Sequence, residues 1–159
     1  MPPADDDALD RLLSVQAVER LGAEYCHGAD KKQLDRFLAV WHPDAVWDVG
    51  THEFTGHDQI TEAIERQWAA ISQMHHWTSN TSVTQDGDRA TAESDVTAMS
   101  LLPDGTWLFS GGTYLDEAAR RDGEWRLVRR SARVHFSLPV TAPSAEGKGF
   151  EPLSTGTPR

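Results

Sequence analysis

The sequence predicts an α+β fold in which three N-terminal helices cover the open face of a cone-shaped, curled mixed β-sheet. Three observations lead there. Apolar residues recur with helical spacing through residues 9–71. Beyond them the chain becomes long alternating strands separated by the turn dipeptides Asp86-Gly87, Asp104-Gly105 and Asp122-Gly123. Those turns lie about 18 residues apart, and strands of that length twist and curl instead of lying flat.

Residues 1–7, with two prolines and three consecutive aspartates, read as a disordered lead-in that brings negative charge to the start of the first helix. The domain proper is residues 8–138. Leu9, Leu13, Ala17, Leu21 and Tyr25 form one helical face, and Gly28 is the expected stop. Asp30 then stands as N-cap to a second short helix carrying Leu34, Phe37, Leu38 and Trp41, which Pro43 ends. Ala45–Asp48 and Thr51–Thr55 read as two short strands, punctuated by Gly50 and Gly56. A third helix, about His57–Ser72, buries Ile60, Ala63, Ile64, Trp68 and Ile71. Four strands follow as a meander: His75–Gln85, Arg89–Leu102, Thr106–Ala118 and Glu124–Leu138, with Gly111-Gly112 as a bulge or bend. Residues 139–159, rich in Pro, Ser, Gly and Thr, read as a C-terminal tail with Phe150 as its one large apolar anchor.

Composition narrows the function. A chain of 159 residues with 15 Lys+Arg, 25 Asp+Glu and a net charge of −10 is one domain, long enough to bury its own core. The acidic balance argues against nucleic acid, whose affinity rests on cations neutralising phosphates. The single Cys26 excludes an internal disulfide and a Cys-rich zinc site, and fits a reducing compartment. No stretch approaches the ~20 apolar residues of a membrane span, and the acidic N-terminus is unlike a signal peptide, so a soluble cytoplasmic protein with no membrane partner is expected. Phosphate-loop, nucleophile-elbow, zinc-protease and Cys-x-x-Cys signatures are all missing. His42-Pro43-Asp44 has the spacing of part of an iron site, a three-residue match of little specificity. No metal and no cofactor are expected.

A sheet curled over helices offers an apolar cavity with a few converging polar groups. His75 and His76 are adjacent on a strand, so only one enters it, and alternation alone leaves the choice open. Asp30, with Gln33 three residues on, is explained equally well as a helix cap or as a functional carboxylate. Tyr25 fits the core at least as well as a catalytic role. The last strand carries Arg126, Arg129, Arg130 and Arg133; most should be solvated, and an inward one would need a carboxylate or an anionic group.

The order of elements, with the strings ADKKQLDRFLAVWHPDAVWDV at 29–49, HHWTSN at 75–80, RRDGEWRL at 120–127 and RVHFSLP at 133–139, resembles the SnoaL-like branch of the nuclear transport factor 2-like superfamily over about residues 8–138. Within it the likeness is to hexachlorocyclohexane dehydrochlorinase, the bile-acid 7α-dehydratase and, more loosely, scytalone dehydratase. The resemblance implies a dyad of Asp30 with His76, an arginine at Arg133, a tyrosine at Tyr25 that leans toward dehydration, and a pocket tryptophan at Trp47. Phe54, Asn80, Trp107 and Phe109 complete the expected substrate-binding set. It further implies a cofactor-independent lyase acting on an apolar cyclic small molecule such as a steroid or polyketide. A double-bond isomerase or polyketide cyclase, and a non-catalytic binding module, are the alternatives on the same fold. Six tryptophans and the apolar outer face of such a sheet point to a homo-oligomer, with a trimer favoured over a dimer by the resemblance.

Overall fold

A computed structural model of the chain describes residues 4–140. Helices α1 (Ala4–Asp30) and α2 (Leu34–Ala39) lead into strands β1 (Trp41–Asp48) and β2 (Glu53–Thr55). Helix α3 (Gly56–Ala70) follows, then β3 (Gln73–Asp86), β4 (Arg89–Leu101), β5 (Trp107–Arg121) and β6 (Glu124–Val140). One six-stranded sheet has the order β2-β1-β6-β5-β4-β3 and does not close. Only β1 and β6 run parallel; every other neighbour is antiparallel, so the sheet is mixed. The α+β class expected from the sequence is the one observed. Among the described residues no helix is long and apolar enough to cross a membrane.

Several boundaries differ from the sequence reading. Helix α1 starts at Ala4, inside the expected lead-in, with Asp7 near its N-terminus, where the helix dipole favours a carboxylate. At its other end Gly28 does not stop it. A Cβ at Gly28 would lie 2.6 Å from both the Cα and N of Phe37, so this glycine serves the close crossing of α2 over α1. The stop is Lys32, in the left-handed region at φ 53°, with the amide of Lys32 bonded to the Ala29 carbonyl and that of Gln33 to the Gly28 carbonyl. This Schellman pattern is usually built on glycine, which is why a lysine hid it. Pro43 lies within β1 and not after a helix. The register of β1 against β6 is irregular between Trp41 and Val46, so its missing N–H costs no ladder bond.

The meander and its three Asp-Gly turns stand where expected, and β5 shifts register at Gly111/Gly112. The β6 strand runs on to Val140; Phe150 and the remainder of the expected tail lie outside the described residues. Aromatic side chains fill the base of the cone: Tyr25, Phe37, Trp41 and Trp47 are buried with ring centroids 5.1–6.2 Å apart, and Ile60 and Ile64 of α3 cap them. Each such side chain contributes roughly 1.5–3 kcal/mol on burial. That base holds the C-terminal turn of α1 against the sheet.

Candidate active site

Asp30 ends α1 beside β3 and does not cap α2, whose N-cap is Gln33 without a side-chain bond. Both of its carboxylate oxygens are taken by one residue. Oδ2 accepts the backbone N–H of His76 at 2.9 Å, and Oδ1 lies 2.5 Å from His76 Nδ1. The side chains are 10% and 9% exposed. Two bonds to one carboxylate fix the plane of the ring and place the proton on Nδ1, which leaves Nε2 as the basic nitrogen. His75 takes the opposite face, edge-on to the exposed Trp77 at 4.3 Å.

His76 lines a cavity of about 310 Å³ between α1, α3 and the concave face of the sheet. Tyr25, Trp47, Val49, Ile71, Val96, Ala98 and Leu108 give it a mainly apolar wall, interrupted by Gln67, Ser100 and Ser110. A larger depression of about 470 Å³, edged by Ser82, Thr91, Glu93 and Glu117, is not reached by the Asp30–His76 pair.

Behind the Tyr25 wall lies an arrangement that alternation concealed. Arg130 is fully buried, with its guanidinium carbon 4.2 Å from the Tyr25 ring centroid and 4.3 Å from that of Tyr114. Its Nε and Nη2 donate to the two oxygens of buried Asp116, each at 2.7 Å, while Nη1 has no partner. Burial works against the cation, yet Asp116 holds the Arg130 pKa above its ordinary value. Burial pushes both phenols well up, with the Arg130 charge opposing it, so Tyr25 stays a neutral hydrogen-bond donor.

Arg133 borders the cavity, but its guanidinium is engaged elsewhere. With Arg129 and Ser131 it converges on Asp48: Arg133 Nη2 lies at 2.7 Å, Arg129 Nη2 at 3.0 Å and Ser131 Oγ at 3.1 Å from one carboxylate oxygen. Hydrogen bonds from Arg133 foremost, then from the Gly50 backbone N–H and from Ser131, hold the Asp48 carboxyl well below the usual range. The inward arginine of β6 is therefore Arg130. A register shift leaves Val128 unpaired between Leu127 and Arg129, and this bulge exchanges the faces that simple alternation from Trp125 and Leu127 would assign.

Of the expected substrate-binding residues, Trp47 lines the cavity and four stand apart from it. Phe54 packs behind Trp47 at 6.0 Å, under Arg66. Asn80 sits at a β3 irregularity with φ 52° and donates to Asp95 at 2.8 Å. Phe109 pairs through Met99 with His75, on the outer face of the sheet, where its ring meets Phe136. Trp107, two residues earlier, shares that face. The His42/Asp44 pair does not converge, since His42 Nε2 meets the Ala119 carbonyl at 2.9 Å and Asp44 pairs with Arg121. Among the described residues no three His, Cys, Asp or Glu side chains cluster as metal ligands.

Comparison with known proteins agrees with this architecture. The model of the SnoaL-like domain family matches residues 10–131. Hexachlorocyclohexane dehydrochlorinase 1 of Sphingobium indicum is 26% identical over 136 residues, covering 83% of this chain and 88% of that protein. The crystal structure of a type 2 hexachlorocyclohexane dehydrochlorinase superposes with a TM-score of 0.82 at 24% identity, covering 92% of this chain and 99% of that one. The type 3 enzyme from Novosphingobium barchaimii gives 0.80 at 26%, covering 91% and 99%. With most of its length matched by the family model, this chain belongs to the SnoaL-like domain family, on the nuclear transport factor 2-like fold.

Proposed function

We propose that the protein is a cofactor-independent lyase that eliminates a β leaving group, water in the first instance, from an apolar cyclic small molecule. The observation that carries this reading is the Asp30–His76 pair opening onto a mainly apolar cavity. Neutral His76 takes a proton from carbon through Nε2 while Asp30 stabilises the imidazolium. The C–H electron pair becomes the new double bond, and the leaving group departs with its own pair. A departing hydroxide recovers the proton from the imidazolium and leaves as water; a departing chloride leaves as the anion, and the proton passes to solvent. Tyr25, held neutral, donates a hydrogen bond to the leaving oxygen or a substrate carbonyl. Arg130 and Asp116 fix that ring from behind. Arg133 stays at the rim, tied to Asp48, and the interior positive charge nearest the chemistry is Arg130.

The similarity to dehydrochlorinases supports elimination, and Tyr25 five residues before Asp30 supports oxygen as the leaving atom. The test is mass spectrometry of hexachlorocyclohexane and a panel of hydroxylated steroids and polyketide-derived rings after incubation. Loss of one water or one hydrogen chloride supports a lyase. A product of unchanged mass with a shifted double bond identifies an isomerase, and ligands returned unaltered identify a binding module.

Assembly belongs to the same reading. Trp77, Phe136, Leu138 and Val140 are each at least 43% exposed on or beside the outer face of the sheet. Such a patch favours further copies of the chain, and the resemblance favours three.

A further inference from the structure

Two hydroxyls in the cavity have no part in the elimination described above. His76 pairs with Ala98, Ala98 with Ser110, and Ser110 with Ser137, so the four form one row across the sheet. Directly opposed residues share a face, and the row therefore points into the cone with His76. Ser110 stands on the cavity wall two strands from the base, about 10 Å away along the sheet at ~4.8 Å per strand. Its Oγ donates to Ser137 Oγ at 2.9 Å, which orients the hydroxyl and leaves its lone pairs open. Ser100, two residues beyond Ala98 on β4, lines the same cavity and lies diagonal to both His76 and Ser110 in the strand register. Ala98 and Leu108 beside these hydroxyls are apolar. A wholly hydrocarbon or halocarbon ligand filling this space would strip the serines of water and leave the Ser110 lone pairs and the Ser100 hydroxyl unmatched.

We propose that the substrate carries a hydroxyl remote from the carbon that His76 deprotonates, and that Ser110, braced by Ser137, accepts a hydrogen bond from it with Ser100 alongside. The occupant is an oxygenated ring compound long enough to bridge the two ends. The assignment of its other end to His76 rests on the elimination reading; the oxygen-binding end is tested by binding alone.

The probes are 2-naphthol and naphthalene, titrated with the full chain and followed by ligand fluorescence anisotropy. The wild type binds 2-naphthol about three- to tenfold more tightly, the worth of one or two hydrogen bonds. In Ser100→Ala/Ser110→Ala that preference disappears while naphthalene affinity is kept. In His76→Ala the preference persists. Equal affinities in the wild type, failure of 2-naphthol to bind, a preference that survives the double substitution, or one lost with His76 overturns the assignment. A substrate panel without elimination products would refute the reaction and leave the naphthol preference standing.

Discussion

Replacing Gly28 with alanine tests whether the crossing of α1 and α2 sets the geometry of Asp30. The new Cβ would meet the Phe37 Cα and N at 2.6 Å and its Cβ at 2.9 Å. Two of these are backbone atoms of a fully buried residue, so a rotamer change does not relieve the contact. Overpacking of this kind costs about 1–3 kcal/mol, and the better helix propensity of alanine returns up to ~1 kcal/mol. The net expectation is a loss of about 1–2 kcal/mol in urea unfolding. Relief requires the last turn of α1 to move, and Asp30 lies on that turn with bonds of 2.5 and 2.9 Å to His76. A displacement approaching 1 Å at such a site costs on the order of 10²-fold in rate, so turnover should fall far more than stability explains. Gly22 is the control. Its nearest neighbour on adding a Cβ is Arg130 Nη2 at 3.9 Å, an ordinary contact, and Gly22→Ala should stabilise by roughly 0.5–1 kcal/mol with activity retained. A Gly28→Ala protein as stable and active as wild type would refute the reasoning.

Other outcomes follow from the buried groups and the outer face. Asp116→Ala leaves Arg130 buried without its counter-ion and should cost about 3–5 kcal/mol; a loss under about 1 kcal/mol in the same unfolding assay would contradict the pairing. Burial raises the Cys26 thiol from 9.0 to about 11 and raises Tyr25 and Tyr114, so above pH 9 the unfolded chain gives up protons that the fold retains. Stability should fall as pH rises from 9 to about 11, by up to ~1.4 kcal/mol per pH unit for each group, and Cys26→Ala should flatten the onset; urea midpoints that do not move between pH 8 and 10.5 would exclude it. Light scattering at micromolar concentration should give a multiple of the 17.6 kDa chain, three by preference, and a monomer mass would reject assembly through the outer face.

The fold was legible because its signals are local. Period-3.6 stripes, three Asp-Gly turns and alternating strands each declare themselves within a few residues. What escaped depends on contacts distant in sequence. Gly28 looks like a helix stop until Phe37 is seen crossing it, and Lys32 performs the stop in a conformation that a lysine does not advertise. Pro43 looks like a helix end until the irregular β1–β6 pairing makes room for it. Asp30 and His76 were nameable as partners only through the family likeness, because capping chemistry and strand alternation each left their residue open; the structure sets them 2.5 Å apart. The choice between Arg130 and Arg133 turned on a one-residue bulge at Val128 that no composition rule marks, and with it went the burial of Asp116 against Arg130. A carboxylate two residues after Tyr114, facing a cluster of arginines on the next strand, was the available signal.

The central claim is that His76, held by Asp30, removes the proton from carbon. The most direct measurement is kcat/KM for His76→Ala and His75→Ala on any ring compound that the panel shows to be turned over, with circular dichroism confirming that both variants fold. His76→Ala should lose about 10²–10⁴-fold, the contribution of a positioned general base, and His75→Ala, on the outer face, should stay within about threefold of wild type. Equal losses in the two variants, or no loss in His76→Ala, would contradict the account.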